Sequence, residues 1–257
     1  MEKYNTELYK IDYSLIEDND LEALKEHPAV KKAAELIRSG ELVAFPTETV
    51  YGLGADASNE TAVERIYLAK GRPQDNPLIV HIASLKQLEI ITQGNLSTLV
   101  EKLIDKFWPG PLTIILDKNG VIPDRTTAGL GSVAVRMPAH PLARALIEAA
   151  GKPIAAPSAN ISGAPSPTRA LHVMNDLKGR IPLILDGGSS WVGVESTVID
   201  VSGDKIIILR PGGVSREEIE KTIASTNSLA VEVQFSSSLS GKDSTSIEKP
   251  RSPGMKY

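Results

Sequence analysis

The chain has 257 residues, of which 41% are hydrophobic and 23% charged, enough to bury a sizeable core and too apolar for a disordered or fibrous class. A net charge of −4 argues against a protein whose main task is to wrap a nucleic-acid backbone, and the absence of cysteine excludes disulfides, thiolate nucleophiles and Cys-ligated metal centres. The charged start MEKYNTELYK has no apolar signal core, and no apolar run reaches the length of a membrane span, so the expectation is a soluble cytoplasmic protein without membrane partners.

In chain order, residues 1–27 read as an N-terminal extension. PAVKKAAELIRSG (28–40) opens on a proline and closes on a glycine, the signature of a capped helix, and leads into the strand ELVAF. Asn59 caps the helical ETAVERIYLAK, which stops at Gly71. Strands follow at 77–82, 111–116, 132–137, 152–157, 181–186, 196–201 and 205–209, with helices at about 96–107, 140–150, 168–177 and 216–224. Several successive strands have short connections, which predicts an α/β fold with a mixed sheet. The serine-rich residues 225–257 read as a linker or tail.

Familiar motifs fail on context. GLGADA (52–57) and GLGSVA (129–134) match a loose dinucleotide spelling, but the first is separated from its strand by a loop and the second runs into a strand. There is no P-loop, and SAN (158–160) has neither a K-T-G partner nor a nucleophile elbow. The four histidines show no metal-ligand spacing, so no metal site is expected.

What remains is polar chemistry at strand ends, where open α/β sheets build their sites. PTETVYGLG (46–54) carries hydroxyls and a carboxylate, although turn geometry alone explains such a loop. In KGRPQDNP, Lys70 and Arg72 either neutralise a helix C-terminus or face a ligand. Arg136, inside the apolar SVAVRMP, needs an anionic partner, be it a structural salt bridge or a substrate. APSANISGAPSPT (156–168) offers hydroxyls and Asn160, while GVESTVID and ILRPGG add Ser196, Thr197 and Arg210. Lys70, Arg72, Arg136 and Arg210 together point to a highly anionic ligand, a nucleotide plus an acid.

PTETVYGLG, KGRPQDNPLIVH, WPGPLTIIL, VAVRMPAHP, APSANISGAPSPT and ESTVID…ILRPGG, in this order, resemble the YrdC/Sua5 family of threonylcarbamoyl-AMP synthases over roughly residues 28–215. The resemblance implies a YrdC-like catalytic domain, a twisted mixed open sheet flanked by helices around a concave pocket. SPGMKY is similar to the start of the linker that leads to a second, Sua5-type domain in longer members. The implied activity is that of a nucleotidyltransferase making threonylcarbamoyl-AMP and pyrophosphate from L-threonine, bicarbonate and ATP, with Mg²⁺ arriving on ATP. The product then passes to a tRNA threonylcarbamoyl transferase complex for t6A modification. By the same resemblance Lys70 and Arg72 are catalytic and bind ATP with Asn76, Ser132, Ser158, Ser166, Arg210 and Tyr257. Thr49, His81, Arg136, Ala156 and Ser196 surround threonine. The alternative is a double-stranded RNA-binding module without catalysis, although the acidic balance and 4% aromatic content favour weak RNA contact at most.

Overall fold

The computed structural model describes residues 4–12, 20–201, 205–224 and 232–236. In chain order its elements are β1 (Glu7–Lys10), α1 (Leu21–Glu26), α2 (Pro28–Arg38), β2 (Val43–Phe45), β3 (Gly52–Asp56), α3 (Glu60–Lys70), β4 (Ile79–His81), α4 (Leu85–Ile91) and α5 (Thr98–Phe107). There follow β5 (Leu112–Asp117), α6 (Asp124–Thr127), β6 (Ser132–Arg136), α7 (Pro141–Ala150), β7 (Ile154–Ala155) and α8 (Ala170–Leu177). The last are β8 (Leu183–Asp186), β9 (Thr197–Asp200), β10 (Lys205–Arg210), α9 (Arg216–Ala224) and β11 (Glu232–Phe235).

The helices form where capping and periodicity agree. Pro28 occupies the first turn of α2, the His27 ring accepts from Ala29 N, and the buried Ala29, Val30, Ala33, Ala34 and Ile37 repeat every three to four residues. Asn59 Oδ1 accepts from Ala62 N at the start of α3, and Gly71, at φ +62°, ends it in a left-handed turn that costs a glycine little.

The described strands make one sheet in the order β1-β8-β2-β3-β7-β4-β6-β5-β9-β10-β11. It is mixed, as expected: β2/β3, β3/β7, β4/β7, β5/β6 and β9/β10 are antiparallel, while β1/β8, β2/β8, β4/β6, β5/β9 and β10/β11 are parallel. Helices cover both faces. On one, α1, α2 and α7 bury Leu24, Val30, Ile37 and Leu146 against Phe45 and Leu183. On the other, Ile66, Leu103, Val173 and Ile219 pack with Leu53, Val80 and Ile114.

Three strands depart from the sequence expectation. The GLGADA stretch, read as loop, contains β3, because its glycines serve packing. A Cβ on Gly54 would sit 2.7 Å from Phe45 Cε1 and 2.8 Å from Ile154 Cγ2, so only glycine lets β2 and β7 flank this strand. The N-terminal extension supplies β1, in register with β8 through Glu7↔Leu183. The serine-rich tail supplies β11 beside β10, while residues 225–231 and 237–257, Tyr257 included, lie outside the described ones. The segment 152–157 keeps only two strand residues, Ile154 and Ala155, wedged between β3 and β4. The short helices α1, α4 and α6 were not anticipated.

Candidate functional site

A cavity of about 420 Å³, within the range of small-molecule sites, opens where the polar strand ends converge. Thr49, Lys70, Arg72, Asn76, His81, Arg136, Ala156, Ser158, Ser166, Ser196 and Arg210 all line it. Ser132, at the start of β6 opposite Asp117, is not among its lining residues.

One end is built by β4 and β6. These strands run parallel with His81 opposite Arg136, which brings imidazole and guanidinium to the same wall. Arg136 is held from three sides: Nε donates to Gly110 O at 3.1 Å, Nη1 to Thr49 Oγ1 at 2.9 Å, and Nη2 lies 2.6 Å from Glu48 Oε1. The Glu48 contact is an ion pair without hydrogen-bond alignment, and the second Glu48 oxygen has no partner among the described residues. Both side chains are sealed, at 4% and 2% exposure, so this is a buried charge pair. Burial, reinforced by the Arg136 charge, pushes the His81 imidazole down to about 3, so it is neutral near pH 7, and its Nδ1 has no hydrogen-bond partner among the described residues.

The PTETV loop holds this end in shape. Thr47 Oγ1 accepts from Thr49 N and Val50 N and donates to Val50 O at 2.6 Å, folding the loop on itself. A second loop docks on it: Ser190 Oγ donates to Thr47 O, Val192 N to Glu48 O and Gly193 N to Thr49 O.

The other end belongs to the Lys-Gly-Arg turn. Lys70 does not project from the mouth as a helix-terminal cation would. It is 3% exposed, and its Nζ donates to the carbonyl oxygens of Ser158 and Asn160, the latter at 2.7 Å. Burial, with the Arg72 charge adding to it, pushes the ammonium down to about 7. Arg72 Nη2 donates to Asn76 O at 3.1 Å, and its guanidinium lies 5.8 Å from the Tyr67 ring centroid. The Asn76 side-chain amide is fully buried, lines the cavity, and has no hydrogen-bond partner for either atom among the described residues. Such an orphaned group marks a place where a ligand completes the bonding.

The far wall joins Ser196, Arg210 and Glu195. Ser196 Oγ lies 2.7 Å from Thr113 Oγ1 and accepts from Arg210 Nη2 at 3.0 Å. Arg210 Nη1 also ion-pairs with Glu195, whose other oxygen accepts from Ser166 Oγ at 2.8 Å. Sequence reading missed both acids. The signal for Glu48 was present, since Arg136 demanded an anion and the adjoining strand-end loop carries one; Glu195 had only its place beside Ser196 as a clue.

Among the described residues no group of three or more His, Cys, Asp or Glu could hold a metal ion. Glu195, the one carboxylate among the described residues lining the cavity, is engaged by Arg210 and Ser166, so this donor set does not form a cage for a resident Mg²⁺. No described helix is long and apolar enough to cross a membrane.

Fold and site together define a class: a mixed-sheet α/β protein with a cavity lined by cations and hydroxyls at its strand ends. The chain belongs to the Sua5/YciO/YrdC family, whose model, described as "Telomere recombination", matches residues 35–212. It is 54% identical to the threonylcarbamoyl-AMP synthase of Pyrococcus abyssi (strain GE5 / Orsay) over 228 residues, 89% of this chain and 64% of that protein. It is also 54% identical to the threonylcarbamoyl-AMP synthase of Bacillus subtilis (strain 168) over 231 residues, 90% of this chain and 63% of that protein. The crystal structure of P. abyssi Sua5 complexed with L-threonine matches with a TM-score of 0.84 and 49% identity, covering 98% of this chain and 67% of that one. The chain therefore spans less than two thirds of the length of these two curated relatives.

Proposed function

We propose that the chain is a threonylcarbamoyl-AMP synthase, a nucleotidyltransferase that joins L-threonine, bicarbonate and ATP and releases pyrophosphate, supplying the cytoplasmic t6A modification of tRNA through a transferase complex. The observation that carries this reading is the convergence of Lys70, Arg72, Arg136 and Arg210 in one cavity with the Asn76 amide and His81 Nδ1, which have no partner among the described residues, in a family member 54% identical to proteins of that name.

In this reading the two ends divide the work. Arg136, held square by Gly110, Thr49 and Glu48, presents its guanidinium to the threonine carboxylate, with His81 and Ser196 beside it. Lys70, Arg72 and Asn76 face the phosphates, with Ser158, Ser166 and Arg210 completing the nucleotide wall. The threonine amine adds to bicarbonate and water leaves, giving a carbamate. A carbamate oxygen attacks the α-phosphorus, the bond to the bridging oxygen breaks, and pyrophosphate departs with that electron pair. No protein nucleophile is needed, so catalysis rests on positioning and on cations matched to the charge of the transition state. Mg²⁺ enters only as part of the substrate MgATP.

The test is pyrophosphate release with ATP, threonine and bicarbonate omitted in turn, for the wild type and Arg72→Ala. Arg72 is the cleaner probe, because removing Lys70 would also strip the Ser158 and Asn160 carbonyls of their donor. Release requiring all three substrates and falling at least about a hundredfold in the variant supports the reading. Salt-sensitive RNA retention without threonine-dependent release would replace it with a binding module.

A further inference from the structure

Glu195 is the sole carboxylate among the described residues that line the cavity, and it occupies both partners on the far wall at once. Its Oε1 accepts from Ser166 Oγ and its Oε2 pairs with Arg210 Nη1, residues separated by 44 positions in the chain. A hydroxyl and a guanidinium converging on one oxyanion is the donor set that a phosphate oxygen would take.

The two cavity arginines that pair with acids, the buried Arg136 and the part-exposed Arg210, differ in how those acids are held. The Glu48 carboxylate is sealed at 2% exposure, so it has no path away from Arg136. The Glu195 side chain is 33% exposed and can turn to solvent. Its backbone, in contrast, is fixed: Gly213 N donates to Glu195 O, and a Cβ on Gly212 would fall 2.2 Å from that oxygen. Movement is thereby confined to the side-chain torsions, a rotamer change on the sub-microsecond scale.

We propose that Glu195 is an internal stand-in for a nucleotide phosphate, holding Ser166 and Arg210 in place until the polyanion displaces it. The inference rests on the nucleotide reading of the cavity. While the site is empty, the carboxylate compensates the charge of the largely buried Arg210 and keeps both donors aimed inward. Displacement then requires a ligand that carries its own negative charge, so the carboxylate weakens nucleotide binding by the cost of its removal, whereas an uncharged nucleoside leaves it in place.

The experiment compares wild type with Glu195→Gln and Glu195→Ala, titrating ATP and adenosine separately by calorimetry and checking that each variant melts as cooperatively as the wild type. Both variants should bind ATP about five-fold tighter, the worth of a partly exposed ion pair, and adenosine unchanged within about two-fold. Wild type that binds ATP while the variants bind it no tighter, or more weakly, overturns the stand-in role and leaves the nucleotide site intact. Wild type that binds no ATP at all overturns the nucleotide reading, and the stand-in role falls with it.

Discussion

Glu48→Gln isolates a charge pair that the fold seals on both sides of the contact. Glutamine keeps the volume and one carbonyl oxygen near Arg136 but removes the negative charge 2.6 Å from Nη2, stranding a guanidinium at 4% exposure. Removing one partner of a buried pair costs about 3–5 kcal/mol. Arg136 retains Gly110 O, Thr49 Oγ1 and the new amide oxygen, which places the expected loss at the lower end, about 3 kcal/mol. At roughly 2–4 °C per kcal/mol for a chain of this size, the melting temperature should fall by about 6–12 °C. A substrate carboxylate restores the missing charge, so L-threonine should raise the melting temperature of the variant more than that of the wild type. Urea melts give the free-energy loss, and thermal melts with and without saturating threonine give the shifts in melting temperature. A loss below about 1 kcal/mol, or equal stabilisation of the two proteins by threonine, would refute the idea that Glu48 neutralises Arg136 and that Arg136 receives the carboxylate.

Lys70 gives a pH signature of binding. Its pKa is lowered from 10.5 to about 7, so the free folded protein has lost that proton above about pH 7 while the unfolded chain keeps it up to about 10.5; the folded state therefore gains stability as pH rises through this window. Phosphate oxygens beside the amine reverse the shift, and ATP binding at about pH 8.5 should take up as much as one proton, read by calorimetry in buffers of different ionisation enthalpy. Proton release, or no uptake, would remove Lys70 from the phosphate site. In the sheet, Gly54→Ala drives a methyl into Phe45 and Ile154 and should cost about 1–3 kcal/mol in a urea melt. Gly71→Ala meets nothing within 4 Å and carries only the left-handed backbone penalty, about 1–2 kcal/mol, whereas a Gly54 variant as stable as the wild type would contradict the packing argument.

The sequence reveals helices best where cap and period coincide, as at α2 and α3, and strands best where β-branched runs are buried, as at β5 and β8. It conceals β3, because a glycine required by close packing is spelled like a glycine required by a turn. It conceals β1 as well, whose ELYK is three-quarters exposed and has no apolar alternation. At the site, the cations are legible because charge next to an apolar strand demands explanation. Their partners are not, since spacing along the chain says nothing about Lys70 reaching a carbonyl 88 residues away or Arg210 meeting an acid 15 residues earlier.

The position of β7 has a consequence for how the molecule assembles as it is made. Ala155 pairs with Ala55 on one side and with Val80 on the other, so the middle of the sheet is a slot between two earlier strands that only a later stretch can fill. Until that stretch leaves the ribosome, β3 and β4 each present an open edge with unpaired amides and carbonyls, the feature that invites wrong pairing. Closing the slot links Ala155 to partners 100 and 75 residues earlier in the chain, which slows folding relative to a chain of local hairpins. The same late closure brings the Ser158 and Asn160 carbonyls to Lys70 and adds Ala156 to the wall, so the cavity comes into being only with the completed centre of the sheet, and no N-terminal fragment ending before β7 contains it.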